Sequence, residues 1–164
     1  MQKLNILNTR EVKKIKEIIL EDYGYFPEEE YAYLQSEKGK NDKEKIYLVN
    51  KDLARIDLKK LRIDKLGLYF AELKDNHIRL SKEGVQLLGK LAEDNKKELK
   101  NVVELNKKEV KSYFNGDDLE KDLGDKNRFI LLRYQKEFLG CAKYKDQKIL
   151  NFLPKIHRGE VILE

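Results

Sequence analysis

The chain has 164 residues, of which 40% are hydrophobic and 40% charged, and its net charge is +5. The single cysteine, Cys141, excludes an intramolecular disulfide, and two histidines are too few to indicate a metal centre. No apolar run approaches the roughly 20 residues that span a bilayer, and no apolar signal-peptide region opens the sequence. We therefore expect a cytoplasmic protein that does not enter membranes and that buries its own core.

Positive charge is concentrated in the last quarter of the chain. Residues 128–164 carry eight basic and four acidic side chains, a net charge of +4 out of the total of +5. This surplus is compatible with a polyanionic partner, and chance clustering on a solvated face is the alternative. Lysine and glutamate abound, while Met and Cys occur once each and Trp is absent. Because this bias is typical of hyperthermophile proteins, we expect an archaeal-type, thermophilic source.

The first elements in chain order are a helix and an aromatic segment. Asn8 and Glu11 have the spacing of a capping box, and apolar residues follow at helical spacing, which predicts a helix over residues 9–23. An aromatic patch comes next and either packs beside this helix or forms a short strand; it consists of Tyr25, Phe26, Tyr31 and Tyr33. We predict that residues 1–62 form a small α/β N-terminal lobe.

Residues 63–164 alternate short strands with helices and are predicted to form the main domain. Strands are expected over 66–73, 78–80, 102–105, 129–134, 138–145 and 149–153. Helices are expected after the capping residues Ser81 and Asn106. A meander of short strands with two inserted helices favours an α+β fold around a small, mainly antiparallel β-barrel.

The sequence lacks the common motifs of nucleotide-binding and hydrolytic enzymes, namely GxxxxGK[ST], GxGxxG and GxSxG. Cys141 lies in an apolar run, where a lone cysteine usually packs as a small hydrophobe. A reactive thiol stays open as an alternative, because Lys143 lies on the same face of the predicted strand. We expect no catalytic residue, no metal and no cofactor.

The segments of residues 63–159, taken in order, resemble a PUA-like RNA-binding domain. The stretch RFILLRYQKEFLGCAKYKDQKILNFLPKIHRG at Arg128–Gly159 is similar to the C-terminal domain of RNA cytosine-C5 methyltransferases of the Sun/nucleolar type. That family has Gly-x-Gly-Lys and then an Asn followed by an aromatic residue and Pro-Lys; here Ala142 replaces the second glycine. Upstream, three segments resemble the earlier strands and helices of that fold: GLYFAEL (67–73), IRLSKEGVQLL (78–88) and VVELNKKEVKSYFNGDDL (102–119).

The resemblance implies the RNA-binding half of such an enzyme without its catalytic domain, which needs about 200 residues or more. We therefore expect a non-catalytic, monomeric protein that binds structured RNA, either tRNA or rRNA. It would assist RNA modification or ribosome biogenesis. The alternative hypothesis is a scaffold that recruits a methyltransferase or a ribosome-assembly factor through the aromatic patch.

Cations and planar side chains are the groups that meet the phosphates and bases of RNA. Strand alternation places Lys143 and Lys145 on one face, which is outward if Tyr144 is in the core. Gly67 at a strand start would let an RNA backbone approach closely. The candidate RNA-binding residues are Gly67, Arg79, Arg133, Lys143, Tyr144, Lys145, Asn151, Lys155, His157 and Arg158. We expect the binding face to be centred on Lys143, Asn151, Lys155 and Arg158.

Overall fold

The computed structural model of the chain describes residues 3–28, 30–52, 55 and 66–163. The chain divides into two compact units, Met1–Leu99 and Lys100–Glu164. Among the described residues each unit contains a five-stranded sheet, and the mixed α+β content confirms the predicted fold class. Within those same ranges, no helix has the length and apolar character needed to cross a membrane.

The first unit is an antiparallel sheet with two helices. Its sheet has the order β1-β2-β3-β4-β5, and every neighbouring pair of strands is antiparallel. The strands are β1 (Leu4–Ile6), β2 (Tyr31–Ser36), β3 (Glu44–Asn50), β4 (Leu68–Lys74) and β5 (His77–Leu80). The helices are α1 (Thr9–Tyr23), α2 (Lys82–Asp94) and a short 3₁₀ helix (Lys40–Asp42) between β2 and β3.

Helix α1 begins and ends where the sequence predicts. The Asn8 side chain accepts a hydrogen bond from the Glu11 N–H at 3.0 Å, and the Glu11 carboxylate accepts one from the Asn8 N–H at 2.8 Å. This reciprocal pair satisfies two of the amides that a helix leaves free at its start. Gly24 follows the helix at φ +81°, a left-handed conformation in which glycine is the least strained residue.

The aromatic patch belongs to the interior of the first unit. Tyr25, Phe26 and Tyr33 are 4%, 8% and 3% exposed, and the rings of Phe26 and Tyr33 stack with centroids 5.7 Å apart. Tyr31 is the first residue of β2, so the short strand proposed for this segment is present. Three of the four rings of the patch are thus buried and cannot dock a partner, while Tyr31 is half-buried, so the patch gives little support to the scaffold hypothesis.

The second unit contains a mixed sheet of order β6-β8-β9-β10-β7, in which only β6 and β8 are parallel among the described strands. Its strands are β6 (Val102–Glu104), β7 (Leu119–Glu120), β8 (Arg128–Tyr134), β9 (Glu137–Lys145) and β10 (Lys148–Leu150). Helix α3 (Lys107–Asn115) follows β6, and a 3₁₀ helix (Lys155–His157) lies after β10.

The core of the second unit lies between α3 and one face of its sheet. Val110 and Tyr113 from the helix join Ile130, Ala142 and Tyr144 from the strands, and each of the five is at most 1% exposed. The capping box expected at the start of α3 is present between Asn106 and Glu109, at 2.9 Å in both directions. The last strand ends at Leu150, three residues earlier than predicted, because Asn151 turns away to bond with α3.

The predicted division after residue 62 lies outside the described residues. The boundary between the two compact units falls between Leu99 and Lys100 in the chain. Residues 68–80, expected in the second domain, form β4 and β5 and complete the sheet of the first unit, because β4 pairs with β3 over Glu44–Leu48. Helix α2 packs against these two strands. A hydrogen-bonded ladder thus assigns the segment to the first unit.

Candidate nucleic-acid interface

Tyr144 lies in the core of the second unit, which does not fit its assignment as an RNA-binding residue. Its side chain is 0% exposed and cannot stack on a base. Its hydroxyl donates to the Gly124 carbonyl at 2.7 Å and accepts from the Leu123 N–H at 2.9 Å. Both partners belong to the loop before β8. Tyr144 therefore fixes this loop on the sheet.

Lys143 and Lys145 lie on the sheet face opposite to Tyr144, as strand alternation predicts. The Lys143 ammonium is 4.6 Å from the ring centroid of Phe129, its cross-strand partner, which is within the range of a cation–π contact. Next along this face, Leu131 and Cys141 are paired and are 0% and 6% exposed. The centre of this face is therefore closed to RNA, and Lys145 is left at its exposed edge.

Arg133 is engaged within the protein. Its Nε donates to a Glu104 carboxylate oxygen at 2.8 Å, and its guanidinium lies 5.6 Å from the Phe138 ring centroid. An exposed pair of this kind contributes about 1 kcal/mol or less, so a phosphate can compete for the guanidinium at small cost. Arg133 stays a candidate, with an internal partner that RNA would have to replace.

Cys141 packs as the sequence favours. It is 6% exposed, and its thiol is 3.9 Å from the Ala142 carbonyl oxygen. Gly140, just before it, lies against helix α3, since a Cβ on residue 140 would be 2.6 Å from the Tyr113 hydroxyl. Ala142, at the second position of the glycine pair, is 0% exposed within the core. In this chain the Gly-Cys-Ala step serves helix–sheet packing.

Asn151 fastens the segment after β10 to the end of α3. Its side-chain amide donates to the Tyr113 carbonyl at 2.7 Å and to the Asp117 carbonyl at 2.9 Å. Its side-chain oxygen accepts from the Leu153 N–H at 2.8 Å. The Tyr113 carbonyl belongs to the last turn of α3 and also accepts from the Gly116 N–H at 3.0 Å. Both N–H groups of the amide are thus engaged within the protein, which gives Asn151 a structural role, and its direct contact with RNA stays a prediction.

Residues 151–159, which we call the exit segment, present three exposed cationic or titratable side chains. Lys155 and His157 lie on the 3₁₀ helix, and Arg158 follows it. The Arg158 Nε donates to the Leu153 carbonyl at 3.1 Å, and the Gly159 N–H donates to the Phe114 carbonyl at 2.9 Å. The first bond fixes the Arg158 side chain on the exit segment itself, and the second ties the backbone of the segment to α3. The exit segment contains no acidic residue.

Two apolar side chains of the exit segment are also exposed, and neither is among the candidate RNA-binding residues given above. Ile156 is 86% exposed between Lys155 and His157, and Phe152 is 38% exposed. A signal was present in the sequence, because both lie two residues from Pro154 and close to Lys155. Apolar and planar groups flanked by cations are suited to base contacts with neighbouring phosphate contacts.

The two candidates in the first unit have internal roles. Gly67 has φ +71°, and a Cβ there would collide with the Leu48 carbonyl, so glycine is required for packing of the chain against β3. The Arg79 guanidinium pairs with the Glu72 carboxylate at 3.2 Å and is 27% exposed. Close approach of an RNA backbone is thus not needed to explain the glycine.

The predicted binding face is therefore divided. Asn151, Lys155 and Arg158 come together beside α3, with His157 between the two cations. Lys143 projects from the sheet face opposite to the one on which α3 packs, so it does not join them. Across the described residues, no group of three or more His, Cys, Asp or Glu side chains is arranged to hold a metal ion.

Comparison with known families identifies the second unit. Residues 100–158 match the family model of the methyltransferase RsmF PUA domain. The second unit is PUA-like. This confirms the resemblance inferred from the sequence, with a match that begins at residue 100 and leaves out the segments at 67–73 and 78–88. No curated protein matches the chain. PUA domains in general bind RNA, so the match of residues 100–158 to this family suggests RNA binding.

Proposed function

We propose that this protein is a non-catalytic RNA-binding protein that recognises structured RNA, tRNA or rRNA, through the exit segment of its PUA-like unit. The observation that carries the proposal is the exposure of Lys155, His157 and Arg158 on an acid-free segment within the family match. It would act as an accessory in RNA modification or ribosome biogenesis.

Preorganisation of the exit segment supports this proposal. The segment is fastened at its start by Asn151 and at its end by the Gly159 N–H, and both bonds reach α3. Cations that are already placed lose less conformational entropy when they meet a phosphate than cations on a free tail. Ile156, 86% exposed between two of them, gives bases an apolar contact on the same turn.

The non-catalytic part of the proposal rests on the placement of the reactive side chains. The Cys141 thiol is 6% exposed in the sheet, and a nucleophile needs access to its substrate. The two histidines, His77 and His157, lie in different units and are exposed. Neither takes part in a metal cluster among the described residues.

Salt-dependent binding of RNA tests the proposal. Fluorescence anisotropy with labelled tRNA and rRNA fragments should show binding that weakens between about 50 and 200 mM salt. The Lys155→Ala/His157→Ala variant should bind more weakly and should reduce the slope of log K against log salt by about one for each phosphate that it no longer neutralises. The control is Lys107→Ala/Lys136→Ala, which removes two exposed lysines, and so at least as much positive charge, from elsewhere in the same unit.

Two results would overturn the proposal. One is wild-type affinity for these RNAs that does not change with salt, because phosphate contacts release counterions. The other is an equal loss of affinity in the test and control variants, which would show that only the net charge matters. For the proposed accessory role, partners recovered from the source lysate should include an RNA-modifying enzyme or a ribosome-assembly protein, and nuclease treatment should release them.

A further inference from the structure

The turn between β9 and β10 places two lysines directly opposite each other. Lys145 ends β9, Lys148 begins β10, and the two are cross-strand partners. Residues in this position have Cβ atoms about 5 Å apart, and like charges directly opposite each other lower the stability of the sheet. The chain thus keeps a repulsive pair where one acidic residue would make an attractive one. We call Lys145 and Lys148 the lysine pair.

The turn that carries the lysine pair is held from both sides. Asp146 and Gln147 form it with φ of +52° and +62°, the left-handed values that a two-residue hairpin of type I′ requires. The Asp146 N–H donates to the Asn127 side-chain oxygen at 3.2 Å, and the Gln147 carbonyl accepts from the Lys121 N–H at 3.3 Å. Because both turn residues are bonded to neighbouring segments, the backbone of the lysine pair is fixed before a ligand arrives.

Both side chains of the lysine pair are open to solvent. Lys145 is exposed and forms no ion pair with any residue that the structure describes. The Lys148 side chain is 55% exposed, and its ammonium lies 3.9 Å from the carboxylate of Glu120, which is 86% exposed. An exposed pair at this distance is weak, so a stronger anion can displace the carboxylate. The protein itself therefore does not neutralise the lysine pair.

The lysine pair lies on the sheet face opposite to α3. Its strand neighbours Tyr144 and Ile149 are in the core, so strand alternation turns the pair to the other face. Lys143 shares that face on β9, Glu120 shares it on β7 beside the pair, and Asp146 lies in the turn. Among these residues and the pair, cations exceed carboxylates by three to two. An anion is therefore the ligand that this end of the sheet favours.

We propose that the lysine pair is a second phosphate-binding site, at which Lys145 and Lys148 together hold a phosphate of the RNA backbone. Lysine ammonium groups bind phosphates as point charges. A phosphate between two of them replaces their mutual repulsion by two attractions, so a pair that destabilises the free sheet stabilises the complex. This inference rests on the proposed function and adds that the RNA contacts both faces of the sheet of the second unit.

Strand β10 connects the two sites. Its three residues, Lys148–Leu150, span about 10 Å, and the exit segment begins at the next residue. The exit segment is tied to α3 on one side of the sheet, whereas the lysine pair lies on the other side. An RNA that occupies both sites therefore has to reach from one face to the other. A folded RNA has the size for this, and a dinucleotide does not.

Charge substitutions in the lysine pair test the proposal. Anisotropy with labelled tRNA or rRNA fragments should show about three- to tenfold weaker binding in Lys145→Gln/Lys148→Gln. The slope of log K against log salt should become smaller by about one for each phosphate contact that is lost. The charge-matched control is Lys107→Gln/Lys136→Gln, which removes two exposed lysines from elsewhere in the same unit and should bind nearly as the wild type does.

A charge reversal separates RNA binding from folding. Lys145→Glu replaces the like-charge pair by an opposite-charge pair with Lys148, so the melting temperature of the free protein should not fall. Its RNA affinity should nevertheless fall by at least as much as that of the glutamine variant, because the new carboxylate repels the phosphate. A lower melting temperature in Lys145→Glu would contradict the repulsion on which the inference depends.

The outcomes distinguish this inference from the proposed function. If the exit-segment variant loses RNA affinity while Lys145→Gln/Lys148→Gln binds as the wild type does, the inference is overturned and the proposed function stands. An equal loss in the glutamine variant and its control also overturns the inference, because only net charge would then matter. If the glutamine variant loses affinity while the exit-segment variant binds normally, the inference is supported and the proposed site is wrong. If no RNA binds the wild type, both are overturned.

Discussion

The guanidinium of Arg158 lies against Gly116, where a Cβ on residue 116 would be 2.7 Å from the Arg158 Cζ. Gly116 ends helix α3 at φ +91°, and its lack of a side chain leaves the space that the arginine fills. This contact, together with the Arg158 Nε bond to the Leu153 carbonyl, sets the position of the most C-terminal cation of the exit segment.

Substitution of Gly116 should both strain the backbone and displace Arg158. We expect Gly116→Ala to lower the free energy of unfolding by about 1–3 kcal/mol and to weaken RNA binding. Gly124→Ala is the matched control, because Gly124 has φ +93° but a Cβ added at residue 124 would have no atom within 4 Å. It should show the backbone strain alone, without loss of RNA affinity. Urea denaturation and anisotropy measure the two effects, and identical losses in both variants would contradict a role for the Arg158 contact.

Removal of the Asn151 side chain should release the exit segment. Asn151→Ala removes the two hydrogen bonds that its amide donates to the Tyr113 and Asp117 carbonyls, so we expect a loss of about 1–3 kcal/mol in the free energy of unfolding. The control, Asn127→Ala, removes one exposed bond to the Asp146 N–H and should cost less than about 1 kcal/mol. Reduced RNA affinity with unchanged stability would instead assign Asn151 to direct RNA contact.

Gly140 and Tyr113 should be energetically coupled. Gly140→Ala places a methyl group 2.6 Å from the Tyr113 hydroxyl, which is fixed because Tyr113 is 1% exposed, and we expect a loss of about 1–3 kcal/mol. Tyr113→Phe removes that hydroxyl, so the double variant should lose less stability than the sum of the losses in the two single variants. Thermal or urea unfolding of all four proteins tests the cycle. Strict additivity would show that this contact is not the reason why residue 140 is glycine.

Stability at acid pH should depend on Glu109. Burial alone would raise the pKa of its carboxyl, but hydrogen bonds from the Asn106 N–H and from the Lys121 ammonium at 2.9 Å outweigh burial and hold the pKa below its usual value. A carboxyl with a lowered pKa in the folded state stabilises the protein above its unfolded pKa, and this stabilisation is lost as the pH falls through the folded pKa. Lys121→Met should therefore reduce the difference in unfolding free energy between about pH 7 and about pH 3.

An NMR titration of the Glu109 side chain provides the direct measurement. Its pKa should move upward in Lys121→Met, because the ammonium that stabilises the charged carboxylate is gone. The Glu109→Gln variant should likewise show a smaller acid-dependent loss of stability. An unchanged acid response in both variants would contradict the role of this ion pair.

Local sequence determined the features that depend on nearest neighbours. The capping boxes Asn8–Glu11 and Asn106–Glu109 close over three residues, so spacing alone located the starts of α1 and α3. The alternation of β9 likewise placed Tyr144 inward and Lys143 outward, because side chains of a strand point to opposite faces in turn. The ordered motifs of the last third were enough to indicate the PUA-like unit that the family match confirms at 100–158.

Tertiary structure decided which candidate residues reach solvent and which groups meet. Asn151 forms a hydrogen bond with Tyr113 across 38 residues, and Tyr144 forms one with Gly124 across 20. The residue type alone could not reveal that the side chains of Asn151 and Tyr144 are hydrogen-bonded within the protein. The assignment of β4 to the first unit depends on its ladder with β3. The pairing of Tyr47 with Tyr69 depends on the same ladder and on a one-residue bulge in it. Such contacts join distant parts of the chain, and the local pattern that specifies a helix or strand does not specify its partner.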